Sequence, residues 1–284
     1  MSKRYLIFLI ILTQLGCVAP KSIKKTGTLE KKLARLNKAI IARDYVGAYL
    51  MLSELENTGK FKSNSNLKSS ILFNKAYCLM VQKKYNDAID VLNKAISTYP
   101  KNIKNYILRA YIFKLIGKID KSILDLKQAE QIAPNNAIIK YNLGCLYIDK
   151  GDYDSAVKKL NAAVKIQPDL KDGFINLAYA LFHLSKYNDA ISNLKKAALL
   201  DNKDADIYLN MGLSYERLHQ YDNAISSYSE AIKINPQYIS SYINRGLLFL
   251  SLGKNNLACR DFKKACDLGV CEKYKNLKEI MVCQ

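Results

Sequence analysis

Residues 137–170 read AIIKYNLGCLYIDKGDYDSAVKKLNAAVKIQPDL, and most of the chain repeats this unit every 34 residues. A proline, replaced once by asparagine, recurs at that interval: Pro100, Pro134, Pro168, Asn202 and Pro236. An alanine keeps the same step: Ala95, Ala129, Ala163, Ala197, Ala231 and Ala265. A fixed period of about 20 to 50 residues predicts a stacked array of one supersecondary unit.

Each unit has the pattern of two helices. With Ala137 as position 1, Tyr141, Leu143 and Tyr147 share one side of a first helix, and Gly151 ends it. A second helix carries small and apolar residues on its inner face: Ala156, Leu160 and Ala163. Apolar residues three and four apart indicate helix rather than strand. Pro168 lacks an N–H and disfavours helix in the residue before it, so it ends the unit.

The units resemble the tetratricopeptide repeat family. Residues 205–238 carry the family's pattern at eight places: Tyr208, Met211, Gly212, Tyr215, Ala224, Tyr228, Ala231 and Pro236. Residues 69–102, 103–136, 137–170, 171–204 and 239–270 match in the same register, although Arg109 stands where the family has Leu. The resemblance implies an all-α, right-handed α-solenoid of about seven helix-turn-helix repeats that acts as a non-enzymatic protein-binding scaffold.

The ends of the array are predicted from weaker patterns. Residues 29–62 form a degenerate first repeat, and residues 57–68 form a polar loop that lengthens the period. In residues 271–284, a short amphipathic helix directs Tyr274 and Leu277 inward. Repeat arrays need a terminal element to cover the last apolar face, so we expect this helix to be the cap.

The first 17 residues, MSKRYLIFLIILTQLGC, have a signal-peptide layout: a positive start, an apolar run too short to span a membrane, and Gly-Cys. This ending resembles a bacterial lipoprotein signal, which implies that Cys17 is lipidated. Inner-membrane retention in that family usually has Asp where this chain has Val18, so in a double-membrane bacterium the resemblance implies the outer membrane, facing the periplasm. An uncleaved anchor or an ordinary secretory peptide remains the alternative. Residues 18–28 are a basic tether that can meet acidic lipid headgroups.

The formal net charge is +19, which favours contact with anionic surfaces. The lysines are spread over most repeats, so a solvated face is favoured over a dedicated basic groove. The distribution argues against nucleic acid as a partner, although a basic surface gathered on one side would reopen that class.

No catalytic pattern is present in the sequence. The two histidines, His183 and His219, lie in different repeats without a metal-ligand or nucleophile pattern around them. Glycines recur once per repeat, which helix packing explains better than a phosphate loop. We therefore predict no enzymatic activity, no cofactor, no metal and no small-molecule substrate.

Six cysteines follow Cys17. Cys78 and Cys145 lie among apolar neighbours and are predicted to be buried. Cys259 and Cys266 are too far apart on one helix to bond to each other. A bridge from Cys266 or Cys271 to Cys283 could hold the cap, and whether any disulfide forms stays open.

In the tetratricopeptide family the first helices line the concave face. Here position 6 of the repeat is almost always asparagine, whose amide can pair with the backbone of an extended peptide. Positions 5, 9 and 12 supply aromatic side chains suited to an apolar peptide or helix. The predicted groove residues are Asn74, Tyr77, Tyr111, Tyr141, Asn142, Asn176, Tyr179, Phe182, Asn210 and Asn244. The alternative is that these residues only pack the array.

The sequence thus predicts a membrane-anchored scaffold of the bacterial cell envelope that binds envelope proteins through its concave face, as in the assembly of an envelope complex. The alternative function is an adaptor or regulator that docks a cell-wall hydrolase or protease. The basic pair that clamps a C-terminal carboxylate in chaperone-binding members is missing, because position 5 is never Lys.

Overall fold

The computed structural model describes residues 27–56, 64–279 and 283. All regular secondary structure in these residues is α-helical. The helices are α1 (Gly27–Ile41), α2 (Tyr45–Glu56), α3 (Ser65–Val81), α4 (Tyr85–Thr98), α5 (Ile103–Leu115), α6 (Ile119–Ile132), α7 (Ala137–Lys150), α8 (Tyr153–Ile166), α9 (Lys171–His183), α10 (Tyr187–Leu200), α11 (Ala205–Arg217), α12 (Tyr221–Ile234), α13 (Ile239–Ser251), α14 (Asn255–Asp267) and α15 (Glu272–Glu279). The predicted leader with Cys17, the tether to residue 26 and loop residues 57–63 lie outside the described residues.

The chain divides into two compact units between Lys150 and Gly151. In the first unit, helices α1 to α7 pack in sequence, each against the next, and α3 also touches α5. In the second unit, α8 to α15 do the same, and the first helices α9, α11 and α13 contact one another. This order of helix pairs confirms the predicted all-α solenoid fold.

The turn inside each repeat has one recurring geometry. Position 15 has a positive φ in every repeat, and glycine does not always fill it: Arg43, Lys83, Gly117, Gly151, Ser185, His219 and Gly253. In most repeats the next residue donates its N–H to a carbonyl five residues earlier, as Lys84 does to Leu79 at 2.9 Å. This bond ends the first helix and redirects the chain into the second.

The core is built from the repeated small and apolar positions. Position 20 is buried in every repeat, at Ala48, Ala88, Ser122, Ala156, Ala190, Ala224 and Ala258. Position 24 carries a buried Leu, except in the last two repeats, where it is Tyr228 and Phe262. Gly212 and Gly246 face these two rings. Large and small residues are therefore matched across the helix pair, as close packing requires.

Two repeats add an arginine clamp. Arg109 stands in the Leu place and donates from Nε and Nη2 to Asp125 at 2.8 and 2.6 Å. Arg245 makes the same bidentate pair with Asp261 at 2.8 and 2.7 Å. The Nη1 group of each arginine donates to the second helix of the preceding repeat, at Asn93 and Ser229. The clamp thus joins two repeats through one side chain.

Some expected boundaries are wrong. Helix α1 begins at Gly27, inside the predicted tether. Helix α3 begins at Ser65, so the polar loop ends earlier than residue 68. Asn64 is the reason, because its side chain accepts the Leu67 N–H at 3.1 Å and caps the helix.

Two disulfide bonds hold the C-terminal region. Cys259 is bonded to Cys283, and Cys266 is bonded to Cys271. The predicted bridge from Cys266 or Cys271 to Cys283 is therefore wrong. The chain turns sharply at Gly269, where φ is +105°, and this turn brings Cys271 beside Cys266. The absence of a Cys259–Cys266 bond is confirmed, since each of these cysteines has another partner.

The cap helix packs on the last repeat as its apolar pattern suggests. Helix α15 contacts α14, and Tyr274 packs against a cluster that contains Phe249, Phe262 and Cys283. The Cys259–Cys283 bond therefore ties the chain beyond α15 to the helix that α15 covers.

Candidate functional site

The predicted groove residues all lie on first helices. In the first unit they are carried by α3, α5 and α7, and in the second unit by α9, α11 and α13. Within the second unit these first helices touch one another, so their side chains form one surface there. We call it the first-helix surface.

The asparagines of position 6 lie deep in the first helices. Asn142, Asn176 and Asn210 are at most 1% exposed. Asn74 is also buried, and its amide donates to the Ser70 carbonyl at 2.9 Å. Asn244 is half-buried and donates to the Ser240 carbonyl at 2.8 Å. The role of this row in peptide binding stays a prediction, because these amides offer little surface in this conformation.

In the first unit, tyrosines pair across neighbouring repeats. Tyr77 meets Tyr45 edge to face, with ring centroids 6.0 Å apart. Burial, and then Tyr45, raises the pKa of Tyr77 to about 12. Burial and the nearby Tyr85 raise the pKa of Tyr111. Both phenols are neutral at physiological pH and half-exposed, whereas the predicted groove residue Tyr141 is buried in the core.

The second unit carries a denser group, which we call the aromatic patch: Tyr153, Tyr179, Phe182, His183 and Tyr187. The exposed His183 ring stacks on Tyr153, with centroids 4.6 Å apart and planes 7° apart. It also lies 4.5 Å from the Tyr179 ring. Phe182 meets Tyr187 at 5.3 Å. The patch thus joins two neighbouring repeats through ring contacts.

A cation extends the aromatic patch. The Arg217 guanidinium lies over the Phe182 ring, 5.9 Å from its centroid, in the next repeat. Aromatic rings and arginine are the side chains that most often carry binding energy at protein interfaces. Because the rings are half-exposed, the patch offers apolar area and a positive group to a partner.

Sequence reasoning found Tyr179 and Phe182 but missed Tyr153, Tyr187, Arg217 and the stacking role of His183. The signal was present in the repeat register. Position 17 of one repeat lies beside positions 9 and 13 of the next, so Tyr153 was placed to meet Tyr179 and His183. The same register pairs Tyr45 with Tyr77 in the first unit.

The described residues contain no arrangement that indicates catalysis or metal binding. Among them, no group of three or more His, Cys, Asp or Glu side chains could hold a metal ion. Surface depressions lie at repeat turns, one beside Leu199 and Tyr208 and another beside His219 and Tyr221. None of the described helices has the length and apolar character needed to cross a membrane.

Family models match the repeats seen in the structure. Tetratricopeptide repeat models match residues 71–102, 103–136, 205–238 and 239–268. A TPR repeat model matches residues 144–185 and 178–219. The chain belongs to the tetratricopeptide repeat family. Its members are generally non-catalytic scaffolds, so family and fold support a protein–protein interaction scaffold.

Solved structures share this tetratricopeptide fold. A crystal structure of MamA is 28% identical with a TM-score of 0.54, and the match covers 60% of this chain and 96% of MamA. A tetratricopeptide repeat protein from Parabacteroides merdae is 20% identical with a TM-score of 0.62, covering 88% of this chain and 97% of that protein. YrrB, described as having an unusual peptide-binding site, is 19% identical with a TM-score of 0.56, covering 66% of this chain and 97% of YrrB.

One curated relative also matches. The BBSome complex member BBS4 of Bos taurus is 33% identical over 86 residues, which is 30% of this chain. The match spans only 16% of the length of BBS4.

Proposed function

We propose that this tetratricopeptide protein is a membrane-anchored, non-enzymatic scaffold of the bacterial cell envelope. Its first-helix surface binds a peptide or helix of a partner protein, as in the assembly of an envelope complex. The aromatic patch is the centre of the binding site, and the N-terminus with Cys17 supplies the anchor.

The observation that carries the binding proposal is the partly exposed ring cluster in which His183 stacks on Tyr153 and contacts Tyr179 at a tilt. Rings that pack only for stability are usually buried, as Tyr228 and Phe262 are. Here three rings from two repeats remain at least partly exposed beside Phe182, and Arg217 adds a positive group. Apolar and acidic side chains of a partner would both find contacts there.

The envelope part of the proposal is supported by two features of the chain. The leader MSKRYLIFLIILTQLGC ends in Gly16 and Cys17, the arrangement of a lipidated signal. Disulfides persist in oxidising compartments, and four cysteines of the last repeat and cap are paired. Both features favour export to the periplasmic side of a membrane.

The binding proposal is tested by in-cell crosslinking followed by mass spectrometry. The Tyr179→Ala/Phe182→Ala variant removes two rings of the aromatic patch, and circular dichroism verifies that it is folded. Leu199→Ala is the matched control, since Leu199 is an exposed apolar residue on the second helix α10. We expect an envelope protein to be captured by the wild type and the control and to be lost in the double variant.

A captured set that is the same in all three proteins would refute the aromatic patch as the binding site. A captured cell-wall hydrolase or protease would assign the adaptor role. The anchor is tested separately with Cys17→Ser, which should abolish incorporation of labelled fatty acid. Unchanged labelling of that variant would exclude Cys17 as the lipidated residue.

A further inference from the structure

The first repeat differs from all later ones on the outer face of its second helix. Positions 18 and 22 of this helix point away from the core. In α2 both are apolar, at Val46 and Leu50. In the later repeats they are polar or charged with one exception, Leu124: Asn86 and Asp90, Asp120 and Leu124, Asp154 and Lys158, Asn188 and Ser192, Asp222 and Ser226, Asn256 and Arg260.

These side chains are open to solvent in the described part of the chain. Val46 is 59% exposed and Leu50 is 60% exposed, and they lie one helical turn apart. Ile41, at the end of α1, is 80% exposed. The other side of α2 is fully packed, through Ala48, Leu52 and Leu55. The first repeat therefore has a packed core, and the apolar residues on its outer face are exposed in addition to that core.

Exposed basic residues lie on the helix and the turn that precede this apolar face. The exposed side of α1 carries Lys31, Lys32, Arg35 and Lys38, and the exposed Arg43 forms the turn into α2. Lys32 lies 3.9 Å from Glu54, and both side chains are largely exposed. The wider region is also basic, because residues 27–150 contain 21 Lys and Arg against 10 Asp and Glu. Residues 151–284 contain 18 against 15.

The position of this face in the chain limits what can cover it. Cys17 and Gly27 are ten residues apart. Ten residues span at most about 35 Å when fully extended. If Cys17 is held at a bilayer, as proposed above, the start of α1 stays within about 35 Å of the lipid headgroups.

We infer that the outer face of α1 and α2 lies on the membrane that holds the anchor. Val46, Leu50 and Ile41 enter the headgroup region, while the lysines and arginines of α1 meet lipid phosphates. Apolar residues flanked by Lys and Arg are the composition of helices that lie in the membrane interface. Each basic residue near an anionic surface adds attraction. This inference rests on the anchoring part of the proposed function.

A second copy of the chain fits this face less well than a bilayer. Two copies meeting through the same face would bring the basic residues of both α1 helices together, and like charges oppose such contact. An anionic bilayer is complementary to those residues and lies within the reach of the tether. The experiment includes self-association as a separate outcome.

The test places an environment-sensitive fluorophore, NBD, at Leu50→Cys or at Leu124→Cys in the full chain. Leu124 is the matched control, because it is also position 22 of its repeat, lies in the same unit and is 61% exposed. In the lipidated protein Cys17 is blocked by the lipid, Cys78 and Cys145 are buried and the four other cysteines are in disulfides, so labelling of that form is selective. The protein is reconstituted into vesicles of phosphatidylglycerol and phosphatidylethanolamine, or of phosphatidylcholine alone.

We expect the emission of the label at position 50 to shift to the blue on the anionic vesicles and that of the label at 124 to stay at its value in water. Raising the salt from 0.1 to 1 M shortens the Debye length from about 10 to about 3 Å, so it should weaken the shift. Adding Val46→Asn, which copies Asn86 of the next repeat, should lower the ratio of docked to undocked protein by roughly tenfold.

Each other result has a defined meaning. A protein that floats with the vesicles while the label at 50 stays in water overturns the docking inference and leaves the anchor intact. A protein that does not float with vesicles overturns both. Equal shifts at 50 and 124 indicate non-specific adsorption and overturn the inference. A shift in detergent that grows with protein concentration assigns the face to a second copy.

Discussion

Gly212 should not tolerate even one added methyl group. It lies on α11 and faces the ring of Tyr228 on α12. A Cβ at this position would stand 2.6 Å from Tyr228 Cδ1 and 3.0 Å from Cζ. The ring is fully buried, and its hydroxyl donates to the Glu216 carboxylate at 2.7 Å. The ring therefore cannot move aside without breaking this bond or displacing the next repeat.

The expected magnitude follows from two opposing effects. Overpacking a well-packed core typically costs about 1 to 3 kcal/mol. Alanine is a better helix former than glycine by roughly 0.5 to 1 kcal/mol, which offsets part of that cost. Gly212→Ala should therefore destabilise the repeat by about 1 to 2 kcal/mol. Gly246→Ala should cost less, because its Cβ would stand 3.1 Å from the Phe262 ring.

The chain itself supplies the compensating change. Where position 8 is alanine, position 24 is leucine, and where position 24 is aromatic, position 8 is glycine. The alanine pairs are Ala76 with Leu92, Ala110 with Leu126 and Ala178 with Leu194. Tyr228→Leu alone should destabilise by leaving a cavity. The double variant Gly212→Ala/Tyr228→Leu copies the pairing of an existing repeat. Its loss of stability should therefore be smaller, by about 1 to 2 kcal/mol, than the summed losses of the two single variants.

Hydrogen exchange with mass spectrometry is the suitable assay, because repeat arrays can open locally rather than in one step. Peptides from α11 and α12 report the site, and peptides from α3 and α4 serve as the internal reference. Faster exchange in α11 and α12 of Gly212→Ala, partly restored in the double variant, is expected. Unchanged protection in Gly212→Ala, or strictly additive effects, would refute the size-matching argument.

Four further predictions concern other parts of the chain. Arg245→Met leaves Asp261 buried without its bidentate partner, so urea denaturation should show a loss of about 3 kcal/mol. Lys83→Gly relieves a left-handed residue at φ 61° and should raise stability by up to about 1 kcal/mol in the same assay. The pKa of Tyr77 is about 12 in the folded state, above the value of 10.0 in the unfolded chain. The stability that its neutral phenol contributes is therefore fully present below pH 10 and is lost as the pH rises from 10 to 12. Tyr77→Phe should remove this part of the fall in the free energy of unfolding at alkaline pH. Cys259→Ser should speed hydrogen exchange in α15 while leaving α9 unchanged.

The helix pairs and the core were predictable because the repeat period fixes them. Ala163, Leu160 and Ala156 recur at positions that are buried in their own repeat and in its neighbours. A pattern of this kind leaves only one face of each helix able to meet the next. The sequence shows that Arg109 stands where the family has Leu. Only the structure shows why, because Arg109 forms an ion pair with Asp125, sixteen residues later on the second helix.

The disulfide pairing and the depth of the asparagines could not be predicted in the same way. Cys283 lies beyond α15, and no repeat shows how the chain runs after the last pair, so spacing did not identify Cys259 as its partner. Position 6 lies on first helices that touch the first helices of neighbouring repeats. The burial of the Asn176 and Asn210 side chains therefore depends on the distance between neighbouring repeats, and the repeat period in the sequence does not give that distance.

The repeats also separate packing from binding. At a packing position every repeat needs nearly the same residue, so the residue there carries no information about a partner. An exposed position has no such constraint, and a departure from the other repeats requires another cause. Two departures stand out: apolar Val46 and Leu50 on the outer face of the first repeat, and the ring cluster of Tyr153, Tyr179 and His183 in the second unit. They lie in different units, so we expect that loss of the aromatic patch leaves the fluorescence shift at position 50 unchanged, and that Val46→Asn leaves partner capture by the patch intact.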